Sequence, residues 1–197
     1  GVLIDRLREL EAEARPPTPD FADQKLLGVH AVGRRFGYEE AHAHQVARLA
    51  EKIFDRLSPS EKLTRHQRTL MSAAALLHDV GYHIAHESHH KHSLYLIKNS
   101  ELTGFSEAER DVIANIARYH RGSLPKERHL EFAALNPADR DTVFRLGAIV
   151  RIADALAHYQ NGGEGRDARA DVHHCAAGKI QCPETRGTHP PAFAPHP

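Results

Sequence analysis

Apolar residues along this chain recur at helical spacing, and no run alternates apolar with polar residues as a half-buried strand would. Val2, Leu3, Leu7 and Leu10 predict a short amphipathic helix, stopped by Arg15-Pro16-Pro17. Asp20 is placed to cap a second helix that ends near Gly37. A third is expected from Glu39 to Leu57, with Val46, Leu49, Ile53, Phe54 and Leu57 on its apolar stripe. Ser58-Pro59-Ser60-Glu61 has the pattern of a capping box opening the next segment. Residues Leu70 to Leu77 are apolar nearly all round, which predicts a helix buried in the middle of a bundle. A short helix is expected over Ser93 to Ile97. Ser106-Glu107-Ala108-Glu109 forms a second capping box, opening a helix that carries Val112, Ile113, Ile116 and Ala117 into Tyr119-His120. Asn136-Pro137 starts a last long helix through Phe144, Leu146, Ile149, Ile152, Ala153 and Leu156. The fold class expected is all-α, with about seven helices in a domain over residues 1–160. From Gly162 onward Gly and Pro break any pattern, so residues 161–197 read as a Gly/Pro/His-rich tail.

Composition narrows the class of protein. Lys plus Arg and Asp plus Glu balance at 26 each, so no net field points to a nucleic-acid duplex or an anionic membrane. No apolar run approaches the roughly 20 residues of a membrane span. The two cysteines, Cys175 and Cys182, sit in the tail and imply no disulfide framework. A cytoplasmic protein is the expectation. The chain carries 17 histidines, and their placement matters more than their number.

His78-Asp79 ends the most apolar helix. A carboxylate buried beside an imidazole is costly unless one partner satisfies both, and a divalent cation does so. The competing reading is a helix end whose side chains turn to water. Asp154, in Arg151-Ile152-Ala153-Asp154-Ala155-Leu156, is a charge on an apolar helical face and needs a metal or a cation. With His42 these residues give a nitrogen and oxygen ligand set suited to Mn, Fe, Co, Ni or Zn, with Mg less favoured. His92, at a helix start, and His120, at a helix end, are candidates for a second set. If both point inward, Asp79 bridges two metals about 3.5–4 Å apart, the arrangement that hydrolyses phosphate esters. For His120 the competing reading is a surface histidine favoured by the helix dipole. Asp79, His89 and Arg121 are expected to serve catalysis. Lys91, Arg121 and His86 are expected to reach the substrate, and Arg118 and Arg151 less so. His86, His89 and His90 are candidates to support ligands or to protonate a leaving oxygen. His44, His66, His83 and His158 are expected on the surface. His173, His174 and Cys175 read as a tail feature.

Five stretches carry a resemblance: HAHQVARLA from His42, AAALLHDVGY from Ala73, HHKHSLYLIKN from His89, ARYHR from Ala117 and RIADAL from Arg151. In these the chain resembles the HD phosphohydrolase superfamily, and more closely the C-terminal HD domain of the exopolyphosphatase/guanosine pentaphosphatase family. The resemblance implies a helical fold with His42, His78, Asp79 and Asp154 as metal ligands. By similarity to two-metal members, His92 and His120 would complete a second site. In that family polyphosphate chemistry belongs to actin-like domains preceding this region, so it is not carried over. The segment after Gln160 does not resemble the family's usual extension. The leading expectation is a metal-dependent phosphodiesterase or phosphatase acting on a small phosphorylated substrate, a nucleotide above all, with one or two divalent ions. The alternative is a non-catalytic regulatory or dimerisation module. A metal-free nucleotide-binding protein is a third reading, and it leaves Asp79 and Asp154 uncompensated.

Overall fold

The computed structural model describes residues 21–160, with side chains from residue 24 onward. The helix expected at Val2 to Leu10, the Asp20 cap and the tail with His173, His174 and Cys175 lie outside the described residues. What is described is all-α: α1 (Phe21–Arg35), α2 (Glu40–Glu61), α3 (Arg65–Leu77), a 3-10 turn (Val80–His83), α4 (His89–Lys98), α5 (Glu107–Arg118), the single turn α6 (Leu130–Ala133) and α7 (Pro137–Gln160). No strand occurs among the described residues. None of the described helices is long and apolar enough to cross a membrane.

Helix α3 is the centre of the bundle. Every residue from Leu70 to Leu77 is buried, as a stretch without a polar face requires. It packs on α1, α2, α5 and α7. Met71, Leu77, Ile113, Ile116 and Leu146 are fully enclosed around it. On α2, Val46 and Phe54 are buried and Leu49 and Ile53 pack partly against the core, but Leu57 is 40% exposed.

Helix boundaries follow local chemistry, with two departures from the pattern. The Ser58-Pro59-Ser60-Glu61 box does not open a helix: α2 runs through it, with Pro59 inside its last turns. Proline already has helical φ and removes only one donor there, so the helix continues to a left-handed Lys62 (φ 52°). The working box is Thr64 with Gln67. The Thr64 hydroxyl accepts from the Gln67 amide at 3.2 Å, and Gln67 Oε1 accepts from the Thr64 amide at 2.9 Å. The Ser106–Glu109 box forms as expected. So does the Asn136 cap, whose Oδ1 accepts from the Asp139 amide at 2.9 Å. Gly37, at φ 64°, lies beyond the end of α1.

The second departure is α4, which begins at His89 rather than Ser93. Ser93 Oγ donates to the His78 carbonyl at 2.6 Å and accepts from the Gly81 amide at 2.9 Å. That pair of bonds ties α4 to the turn after α3. The approach is so close that a Cβ at Gly81 would run into the His89 carbonyl and the Ser93 amide. Gly81 therefore sets where the first turn of α4 sits.

Candidate metal centre

Three helices and two helix ends bring histidines and two aspartates to one point beside the core. His42 comes from the first turns of α2 and Asp154 from the last third of α7. His78 and Asp79 follow α3 directly, His89 opens α4 and His120 follows α5. His78, His89 and His120 are at most 3% exposed, and His42 and Asp154 are also buried.

Three of the rings have a defined tautomer. Nδ1 of His78 lies 2.7 Å from the Ala75 carbonyl, that of His120 2.6 Å from Ala117, and that of His89 3.1 Å from His86. A carbonyl only accepts, so each Nδ1 carries a hydrogen and each neutral ring presents its Nε2 lone pair. Those lone pairs converge on carboxylates. His78 Nε2 is 3.3 Å from Asp79 Oδ2 and 3.5 Å from Asp154 Oδ1. His42 Nε2 is 3.2 Å from Asp154 Oδ1 and 3.8 Å from Asp79 Oδ2. On the other side, Asp79 Oδ1 is 3.3 Å from His89 Nε2 and 3.5 Å from His120 Nε2. The last two nitrogens are 3.3 Å apart. Asp79 thus turns one oxygen to each of two ligand groups.

Lone pairs facing lone pairs repel unless something positive lies between them. His78 Nε2 and Asp79 Oδ1 are both buried without a hydrogen-bond partner, a costly arrangement. Without a metal, a proton on His78 supplies part of that positive charge. Burial opposes charge on His78, but Asp79 and Asp154 outweigh it and push its pKa well above the ordinary histidine value. Burial and then the charge on His78 drive His120 down to about 3. Burial also opposes ionisation of Asp79 and Asp154. Around Asp79 the His78 charge leads, and around Asp154 the His42 hydrogen bond leads, in holding each well below the usual carboxylate range. The residues fit a divalent cation. His42, His78 and Asp154 bring ligand atoms within 4.8 Å of one another, as do His78, Asp79 and His120. Imidazole with carboxylate is the donor set of zinc, manganese, iron, cobalt or nickel.

Among the expected site residues, His42, His78, Asp79, His120 and Asp154 come together. His120 is enclosed, which removes the surface reading. His92 is not brought to the cluster, and His89 stands there instead. The Ser93 bonds fix the rotation of α4, and His89, four residues earlier, shares the inward face. His92, one residue before Ser93, turns about 100° away. His86 is exposed, with its ring edge-on to Tyr82 at 4.8 Å. Tyr82 stacks on His89 at 4.1 Å. Lys91 and Arg121 are exposed, and burial together with the charges of His89, Lys91, Arg118 and Arg121 lowers His90 to about 4. Arg118 pairs with Glu131 at 3.6 Å. Arg151 is buried and donates to the Gly122 carbonyl. One member was missed: His158, expected as a plain surface residue, is half exposed yet has Nε2 3.3 Å from Asp154 Oδ1. Its i,i+4 spacing from Asp154 on a helix was the available signal.

An all-α domain that gathers buried histidines and aspartates from separate helices is the class defined so far. Residues 26–180 match the family model for Ppx/GppA phosphatase, domain III, and the chain belongs to that family. Similar proteins include a guanosine-5'-triphosphate,3'-diphosphate pyrophosphatase of Pseudoalteromonas translucida (strain TAC 125). It is 34% identical over 129 residues, which cover 64% of this chain and 24% of that protein. Another, bearing the same name, is from Vibrio parahaemolyticus serotype O3:K6; it is 29% identical over 163 residues, 81% of this chain and 29% of that protein. The chain therefore spans less than a third of the length of these relatives. The family match also crosses the boundary expected at residue 160.

Proposed function

We propose that this domain is a metal-dependent phosphohydrolase of the HD type, acting on nucleotides or related phosphate esters. The observation that carries the proposal is the convergence of Nε2 lone pairs and two buried carboxylates, with His78 Nε2 and Asp79 Oδ1 left without partners. His42, His78, Asp154 and Asp79 Oδ2 would hold one divalent ion. Asp79 Oδ1, His89 and His120 would hold a second, with His89 in the place expected for His92. Such ions supply an activated water and neutralise phosphate oxygens.

The chain's own residues do the remaining work. The backbone carbonyls of Ala75, His86 and Ala117 hold three imidazoles in the ligating tautomer. The buried apolar wall of α3 keeps water from the inner side. Exposed Lys91, Arg121 and His86 are available to a phosphate, and partly exposed Tyr82 offers an aromatic surface beside His89. Guanosine nucleotides with phosphate chains head the substrates to try, following the relatives' names. A cytoplasmic location belongs to the same proposal.

The test pairs metal analysis with hydrolysis of guanosine polyphosphates, cyclic nucleotides, dinucleoside polyphosphates and aryl phosphodiesters. Metal-loaded protein that cleaves none of them overturns the catalytic reading. It would favour the second one, a regulatory or dimerisation module. That module forms oligomers through its helical surface.

A further inference from the structure

A second group of ligand-type side chains lies away from the buried cluster. His42 and His44 are two residues apart on α2, so they point to nearly opposite faces. His44 and Glu40, at i,i+4 spacing, share the outer face, with His44 Nε2 3.6 Å from Glu40 Oε1. From α1, the His30 ring stacks on His44 with centroids 5.0 Å apart and planes 25° from parallel. One ligand atom from each of His30, Glu40 and His44 lies within 4.8 Å of the other two.

A tyrosine orients this group. Burial and then the Glu40 charge raise the Tyr38 pKa, so the phenol keeps its proton beside this group. The phenol oxygen lies 3.0 Å from His30 Nδ1, and the histidine tautomer decides which of the two donates. That bond fixes the orientation of the His30 ring beside His44 and Glu40. Burial, then the neighbouring His44 and Arg34, lowers the His30 pKa, which keeps the ring neutral and available as a ligand. Tyr38 can lie so close to α1 only because residue 33 is glycine: a Cβ there would meet its ring at 3.0 Å. Two imidazoles and a carboxylate, with a hydroxyl bonded to one of the imidazoles, make up the inner and supporting ligands of a borderline metal. Arg34 repels a cation and limits the affinity.

We infer that His30, Glu40 and His44 form a separate binding site for a divalent transition metal of the zinc, cobalt or nickel kind. Tetrahedral bonds of 2.0–2.1 Å set ligand atoms about 3.4 Å apart, so the group must close inward on binding. Glu40 and His44 are 56% and 44% exposed and have room to do so. The inference does not depend on the buried cluster binding metal.

The test is a count of zinc per chain on the full chain after dialysis against Zn2+, for wild type, His30→Ala/His44→Ala and Asp79→Asn. The double variant is expected to hold one zinc fewer than wild type. It should keep the zinc that Asp79→Asn loses. Equal counts in wild type and the double variant overturn the inference. If the double variant does not fold, Glu40→Gln decides: weaker zinc binding supports the site, and unchanged count and affinity overturn it. Should Asp79→Asn keep all its zinc while the double variant loses one, the outer site stands and the proposed function falls.

Discussion

The two faces of α2 carry the same residue types in two different physical situations. On the inner face His42 joins five other side chains that are buried or nearly so. On the outer face His44 joins His30 and Glu40 with water at hand. The outer group can satisfy its polar atoms by rotating into solvent. The inner group cannot, and its ring Nε2 atoms are aimed at ionised carboxylates. Burial makes uncompensated charge costly at the inner cluster, so that cluster carries the functional proposal and the outer one only an inference.

Several changes would break or sharpen that contrast. Asp79→Ala has the largest expected effect, because it removes the carboxylate shared by both inner ligand groups. Bound inner metal and hydrolysis should fall together to background, while Glu40→Ala leaves hydrolysis intact; metal analysis beside a turnover assay decides. Met71→Ala tests the rigid wall behind the cluster. Met71 is fully buried, and the cavity should cost about 2–5 kcal/mol in urea denaturation. A loss well under that range would show that α3 is less tightly packed than described.

A smaller effect separates His89 from His92. His89→Ala should weaken inner metal binding by roughly 10–100-fold, and His92→Ala should change it little. The reverse order would restore the pattern read from the sequence.

The smallest effect concerns pH. His90 stays neutral in the folded chain down to about 4, because burial and neighbouring cations disfavour its charge. An unfolded histidine takes up its proton near 6.5. Between these values the unfolded chain binds more protons, so His90 makes stability fall as pH falls. His90→Gln should therefore lose less melting temperature than wild type between pH 6.5 and 4.5. An identical loss would assign the acid sensitivity elsewhere.

Much of this was legible in the sequence because the signals are local. Seven apolar residues and one serine from Leu70 to Leu77 mark α3 as buried, and Ser106 with Glu109 marks the start of α5. An aspartate in RIADAL on an apolar face announces a polar partner. His89 was harder to place, because the inward face of α4 is set by Ser93 bonding to the His78 carbonyl and by the lack of a side chain at Gly81. Those contacts bridge elements and leave no local pattern. Ser58-Pro59-Ser60-Glu61 misled for a related reason: a capping box specifies a helix start only where the preceding helix has ended. The Nδ1 contacts with Ala75, His86 and Ala117 carbonyls were invisible in the letters, yet they show most directly which nitrogen each ring presents.

Anomalous diffraction from crystals grown with Mn2+ or Zn2+, collected at the absorption edge, tests the central claim most directly. The account predicts a peak between His42, His78, Asp79 and Asp154, and with a second ion another between Asp79, His89 and His120. A cluster without any peak, its rings protonated and paired straight to Asp79 and Asp154, would contradict it.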